Sequence, residues 1–245
     1  MSLAIFAGLS VAVFLTSLLS GIFGMAGGLV LLWVLLAVMP VTTAIAVQGI
    51  FQMVSTGSRA WFSRRFIDWK ILAQLMAGLA MAALALSLID YRPSLAAVYI
   101  IIGLMPVMVW IPTARLQLDA SRPSHALLGG AINGTLMIGV GVSGPVIDIF
   151  FIRTMIDRRR VIATKAAAQL LSHATKVLFY WNSTIELSAM EWAAIAVMLP
   201  LSIAGAQVGF LILQRLTDAN FRAWTRWIVT AIGAVFMVQG LMLLG

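Results

Sequence analysis

Four polar residues recur at helical spacing within an apolar stretch of the sequence: Gln48, Gln52, Ser55 and Arg59. Steps of four, three and four residues place these side chains on one face of a helix. A guanidinium supplies positive charge, and amides and hydroxyls supply hydrogen bonds, so this face could hold a small oxyanion. A similar face follows at an offset of 117 residues and consists of Lys165, Gln169, Ser172 and Lys176, with His173 alongside.

The composition places both polar faces in a membrane protein. Of the 245 residues, 62% are hydrophobic and 10% are charged, and the mean hydropathy is +1.05. No soluble fold buries so much apolar surface, which predicts an all-α polytopic membrane protein with a single transmembrane domain over 1–245. The absence of cysteine from the sequence excludes disulfides, thiolate metal sites and cysteine catalysis.

Two overlong apolar stretches, 2–39 and 124–155, are each interrupted by glycines. One spanning helix needs about 20 residues, so each stretch predicts two short helices that meet at a break. Unwound backbone at membrane depth must line a cavity or be buried in protein, and helix N-termini at such breaks can face anions. Alternatively, the glycines only allow tight helix packing. The break residues of interest are Gly24, Gly27, Gly28, Gly141, Ser143 and Gly144. The first 20 residues lack a basic leader pattern, so we expect them to belong to the mature chain.

The 117-residue offset relates the breaks as well as the polar faces, since it superposes Gly24 on Gly141 and Gly27 on Gly144. It predicts two repeats, about 1–116 and 117–245. Each repeat would be a glycine-broken element followed by three transmembrane helices.

The distribution of cations predicts that these repeats are inverted. Most of the 16 Lys and Arg residues fall in four loops, around Arg64, Arg115, Arg158 and Arg222. Eight simple crossings would divide these loops between both faces. If each broken element enters and returns on the same side, all four loops lie on one face, which is cytoplasmic by the positive-inside rule. Glu186 and both termini then lie outside, and the repeats acquire opposite orientations.

Several ionisable residues admit a structural as well as a functional explanation. Asp148 could bind a coupling proton or cation, or it could pair with Lys165 or Arg153. His173 could titrate near neutrality, or it could be a hydrogen-bonded packing residue. Asn133 could satisfy backbone groups near the second break.

Arg59 and Lys176 lie in the last turns of their predicted helices and could extend to the membrane interface. A cation in the middle of a bilayer costs about 2.5–3.5 kcal/mol, so the alternative is a position facing the protein interior or a cavity. Extension to the interface does not explain the neighbouring glutamines.

The sequence resembles the sulfite exporter (TauE/SafE) family. The strongest match is Gly24-Met25-Ala26-Gly27-Gly28 followed by Pro40 and the small-residue run 42–46. Gly141-Val142-Ser143-Gly144-Pro145 is a weaker copy, with proline where a third glycine is expected. The resemblance covers nearly the whole chain. It implies a multi-pass transporter of the bacterial plasma membrane for sulfite or a small organosulfur anion such as a sulfonate.

The expected function is therefore a secondary transporter that moves a small anion by alternating access. A passive anion channel and a transporter of a non-sulfur organic acid are the alternatives. We do not expect an enzyme, because no nucleophile–base pair or metal cluster is evident. We expect neither a metal nor a cofactor. The expected partners are the anionic substrate and membrane lipid, with a homodimer left open; nucleic acid is not expected because the cations lie in short loops.

Overall fold

The computed structural model describes residues 3–110, 118–151, 154–181, 187–215 and 218–244. Arg115, Arg153 and Glu186 lie outside these ranges. Within them the protein consists of helices joined by short loops, which confirms the expected all-α class. The helices are α1 (Leu3–Phe23), α2 (Met25–Leu36), α3 (Val41–Ser63), α4 (Trp69–Leu88), α5 (Leu95–Trp110), α6 (Pro123–Val140), α7 (Gly144–Phe151), α8 (Arg158–Trp181), α9 (Ala189–Leu213) and α10 (Asp218–Met242).

Among the described residues, four helical segments are long and apolar enough to cross a membrane: Ala4–Phe23, Trp69–Leu88, Ala189–Leu213 and Trp224–Met242. Helices α3 and α8 are also long enough, at 23 and 24 residues, but the polar faces lower their hydropathy. These two helices pack against each other and against several of the remaining helices. Their polar groups therefore meet protein instead of lipid.

Both overlong apolar stretches are pairs of helices broken at a glycine, as expected, but the first helix of each pair is not short: α1 has 21 residues and α6 has 18. The first hairpin is α1–α2 and turns at Gly24, with φ 69°; the second is α6–α7 and turns at Gly141, with φ 86°. Residues with a Cβ rarely adopt such positive φ angles, which explains glycine at both turns. Pro145 takes the second position of α7, where its missing N–H removes no hydrogen bond within the helix.

Each hairpin ends on the face from which it starts. Ile5 near the start of α1 and Val38 just after α2 line the same pocket. In the second hairpin, the N–H of Ala120, just before α6, donates to the carbonyl of Phe150 in α7 at 2.7 Å. Each hairpin as a whole therefore returns to its starting side, although α1 alone is long enough to span a membrane.

The two hairpins open toward opposite faces of the bundle. Helix α3 runs between these faces: Thr43 lines the pocket formed with the ends of the first hairpin, and Ser63 lines a second pocket together with Arg159 of α8. Because α8 follows the second hairpin, that hairpin opens to the face of Ser63. We call the face of Ser63 the basic face, because it carries Arg159 and Arg160. Arg160 pairs with Asp68 at 2.7 Å.

The 117-residue offset that relates the two breaks also relates the pairs of helices that pack together. Helix α1 packs against α9 and α6 packs against α4, while α3 pairs with α8 and α5 with α10. Glycines allow the first two pairs to touch backbone to backbone. A Cβ at Gly205 would lie 2.3 Å from the carbonyl oxygen of Phe14, and one at Gly130 would lie 2.0 Å from that of Leu75.

We predict that Gly205→Ala destabilises the protein, whereas Gly8→Ala does not. The new methyl group at position 205 must push the α1 backbone away, and such overpacking costs about 1–3 kcal/mol. A Cβ at Gly8, in the same pair of helices, would meet nothing within 4 Å. Thermal unfolding of both variants in the same detergent checks this, and equal midpoints would contradict the close α1–α9 approach.

Candidate functional site

A small cavity lies where the tips of the two hairpins meet. Its volume is about 40 Å³. A single water needs about 10–15 Å³, so the space accommodates roughly three waters or one small oxyanion. We call it the central cavity, and it is lined by Gly24, Gly28, Gln48, Gln52, Thr56, Arg59, Met137, Val142, Ser143, Gly144, Gln169 and His173. Most of the residues predicted from the breaks and the polar faces therefore come together in one place.

Lys176 joins the two hairpins beside this cavity. The side chain is fully buried, and its Nζ donates to the Gly141 carbonyl at 2.8 Å and also to Gln48 Oε1. The Nε2 atom of Gln48 in turn donates to the Gly28 carbonyl at 3.1 Å. One cation thus connects the backbone of the second break with the first turn of α2. Extension to the membrane interface is therefore excluded for Lys176.

Glycines make room for this connection. A Cβ at Gly49 would lie 2.8 Å from Lys176 Cε, and one at Gly28 would lie 3.2 Å from Gln48 Nε2. Among the described residues, no carboxylate pairs with Lys176. Its charge is instead met by neutral acceptors, one of which follows the C-terminus of α6, where the helix dipole is negative.

Side chains from elsewhere in the fold also bind the end of α6. Tyr180 donates to the Ile138 carbonyl at 2.7 Å, and Tyr91 donates to the Gly139 carbonyl at 3.4 Å. The last carbonyls of a helix have no partner within it, so such external donors fix where the helix ends. Together with Lys176, the two tyrosines hold the second break in place.

Asn133 holds Ser143 in the cavity wall. The hydroxyl of Ser143 donates to Asn133 Oδ1 at 2.6 Å, and Asn133 Nδ2 donates to the Ser172 hydroxyl at 2.8 Å. The hydroxyl of Ser172 donates in turn to the Ala168 carbonyl at 2.7 Å. Asn133 therefore binds side chains, not the backbone groups expected from sequence. Ser172, predicted to bind substrate, lies behind the wall and positions Asn133.

Other polar side chains in the wall have unused hydrogen-bonding groups. Among the described residues, we find no hydrogen bond or ion pair for the guanidinium of Arg59 or the side-chain amide of Gln169. His173 is 7% exposed, and its Nδ1 has no partner. Gln52 makes one long contact, 3.5 Å from its Nε2 to Ser20 Oγ. These groups are available to a ligand in the cavity.

Arg59 also lines a larger pocket at the basic face, with a volume of about 390 Å³. We call this pocket the basic vestibule, and it is lined by Gly21, Ser55, Ser58, Arg59, Phe62, Ser63, Phe66, Arg159, Ile162, Ala206, Gln207 and Phe210. Arg59 thus belongs to both spaces, and Ser55 to the vestibule alone. The apolar pocket on the opposite face, of about 220 Å³, shares no lining residue with the central cavity.

Lys165 and Asp148 form an ion pair with each other. Their side chains are 26% and 38% exposed, and neither residue lines the central cavity or the vestibule. Of the two explanations open for Asp148, the structure thus shows the pairing with Lys165. Gly27 also stays out of the cavity wall: a Cβ there would lie 1.9 Å from the Thr16 carbonyl oxygen, so this glycine allows α2 to pack on α1.

Sequence reasoning did not single out Tyr180 or Met137. Tyr180 lies four residues after Lys176, on the same helix face, and this spacing could have identified it. Met137 resembles any other apolar residue of α6, so only the fold reveals its place in the cavity wall.

A family model described as sulfite exporter TauE/SafE matches residues 9–236. The chain therefore belongs to this family, as the sequence resemblance predicted. Membership implies a membrane transporter that exports sulfite or a related sulfur compound. Neither the curated proteins nor the solved structures contain a match to the chain.

We predict that Asn133→Leu lowers the free energy of unfolding by about 1–3 kcal/mol, because Ser143 loses its buried acceptor and Ser172 loses a donor. The control is Thr135→Val on the same helix, where an exposed hydroxyl bonds only to the Ala131 carbonyl. That change should stay within about 0.5 kcal/mol. Unfolding in detergent measures both, and an equally small effect of both substitutions would show that the Asn133 network does not stabilise the fold.

Proposed function

We propose that this TauE/SafE protein is a secondary transporter that binds sulfite, or an organosulfur anion such as a sulfonate, in the central cavity. It would carry the anion across the bacterial plasma membrane by alternating access. The observation that carries the proposal is Arg59, whose guanidinium has no partner among the described residues although it borders a cavity of anion size. A guanidinium can donate several hydrogen bonds to one oxyanion.

The charges around the cavity support an anion as the ligand. Arg59 lines it and Lys176 lies beside it, while none of the described aspartates or glutamates is among its lining residues. Gly24 precedes α2 and Gly144 begins α7, so the N-termini of two helices reach the wall. Each helix N-terminus carries about half a positive charge. Two cations and two helix dipoles thus act on one small volume.

Neutral donors complete the proposed site. Gln52 and Gln169 come from the equivalent helices α3 and α8, and the hydroxyls of Thr56 and Ser143 retain free lone pairs after donating elsewhere. Amides can donate to anion oxygens from opposite sides, and a hydroxyl can accept from a protonated oxyanion. An anion would also supply the countercharge that Lys176 lacks.

The pockets favour a transporter over a passive channel. The central cavity and the basic vestibule share Arg59, whereas the apolar pocket on the opposite face is lined by other residues. In a transporter that works by alternating access, the binding site is open to only one side of the membrane in each conformational state. A passive channel would need a polar path to both faces.

The fold also supports inverted repeats within a single transmembrane domain. The hairpins open to opposite faces, their turning glycines are related by the offset, and the helix pairs α1–α9 and α6–α4 are exchanged by it. The positive-inside rule assigns the basic face to the cytoplasm.

We predict that Arg59→Gln weakens anion binding about ten- to hundredfold, because a hydrogen bond to a charged group contributes about 1.5–3 kcal/mol. Lys165→Gln is the matched control: it removes the same charge from a residue that lines neither cavity, and its effect should be under about threefold. Sulfite and methanesulfonate affinities of both purified variants, followed by flux in proteoliposomes with an imposed proton gradient, provide the test. Equal losses would point to general electrostatics instead of a site at Arg59.

We also predict that the basic face is inaccessible from outside the cell. The sequence contains no cysteine, so a single introduced cysteine can be labelled selectively. Asp90→Cys, after α4, should react with an impermeant reagent in intact cells, and Arg159→Cys should react only after permeabilisation. Labelling of position 159 in intact cells would contradict the proposed orientation.

A further inference from the structure

We infer that the basic vestibule binds the apolar substituent of an organic anion whose charged head occupies the central cavity. The inference rests on the proposed function, because it requires an anion at Arg59. It names the substrate class more narrowly: monoanions that carry an alkyl or aryl group.

The sizes of the two spaces give the first argument. The central cavity measures about 40 Å³ and the vestibule about 390 Å³. A head of about four heavy atoms fills the cavity, given the volume that each water-sized group needs. Arg59 is common to both spaces, so a substituent on a head bound there has room in the adjoining vestibule.

The chemistry of the vestibule wall gives the second argument. Phe62, Phe66 and Phe210 provide aromatic surface. The hydroxyl of Ser58 donates to the Ser55 carbonyl at 3.2 Å, and that of Ser63 donates to the Arg59 carbonyl at 2.6 Å. The hydroxyl hydrogens of these two serines are thus already engaged, and Ser55 and Gln207 are the other neutral polar residues in the wall. A hydrophilic substituent gains little from such a wall, whereas an apolar one is removed from water.

The charges select among apolar ligands. Arg59 and Arg159 both line the vestibule, and no aspartate or glutamate of the described part of the chain does. The guanidinium of Arg159 lies 5.7 Å from the centroid of the Phe66 ring, so positive charge and aromatic surface are adjacent. Anionic ligands are therefore favoured over neutral or cationic ones of the same size.

A homologous series of sulfonates tests the inference. Binding of methane-, ethane-, propane- and butanesulfonate is measured with the full chain in phosphatidylcholine nanodiscs. Affinity should rise about two- to fourfold per methylene, and not more, because the wall is only partly enclosed. A terminal hydroxyl, as in 3-hydroxypropanesulfonate, should cancel most of the gain. Affinity that is independent of chain length would overturn the inference.

Two neighbouring positions on α9 provide matched variants. Phe210→Ala should reduce the gain per methylene, since Phe210 lines the vestibule. Leu211→Ala should leave it unchanged, because Leu211 is 59% exposed and is not a vestibule residue. An equal gain in affinity per methylene in the two variants would overturn the assignment to this pocket. The same holds if uncharged alcohols of the same chain lengths gain as much affinity as the sulfonates. It also holds if the gain disappears when the nanodiscs contain a phospholipid other than phosphatidylcholine.

The outcome for the shortest ligands separates this inference from the function on which it rests. If sulfite and methanesulfonate bind but longer chains gain nothing, the vestibule assignment fails and the central site stands. If no member of the series binds, both fail.

Discussion

A lysine side chain that is buried without a carboxylate partner among the described residues is the constraint on which the arrangement of the hairpins depends. Removing such a polar group from water is costly unless hydrogen bonds replace its hydration. Lys176 meets this requirement only where the Gly141 carbonyl and the Gln48 amide come within reach of the same Nζ atom. That condition brings together the second break, the first turn of α2 and the crossing of α3 with α8. The central cavity is the space left beside this contact.

The two cations that the offset superposes have different surroundings. Lys176 is surrounded by acceptors, while Arg59 faces two open spaces and has no partner among the described residues. The contacts between helices match under the offset, but the contacts of the side chains at the centre do not. Gln48 and Lys165 show the same divergence: one binds Lys176 and the other pairs with Asp148. As a result, the cavity borders the vestibule of the basic face at Arg59, whereas Lys176 lines neither space.

The sequence was sufficient to predict the features that depend on local chemistry. Apolar length and glycine spacing predicted both hairpins, and a period of 3.6 residues predicted the polar faces that meet at the cavity. It was insufficient where tertiary packing decides. Ser172 and Lys165 share a helix face with Gln169 but lie outside the cavity wall, because that face is wider than the cavity. The partners of Asn133 depend on how α6 crosses α8, and no spacing within one helix encodes this. Inversion of the repeats is still a prediction.

The pairing of α1 with α9 has a consequence for biogenesis. Ser17 of α1 reaches Ser202 of α9 across 2.9 Å, and both hydroxyls are buried in the finished protein. At about 5–20 residues per second, the ribosome needs roughly 10–40 s to synthesise the intervening chain. During that interval α1 lacks its main packing neighbour, and the Ser17 hydroxyl lacks the partner that it has in the finished protein. An N-terminal half made alone would lack this packing surface permanently, so we expect it to be less stable than the same segment in the full chain.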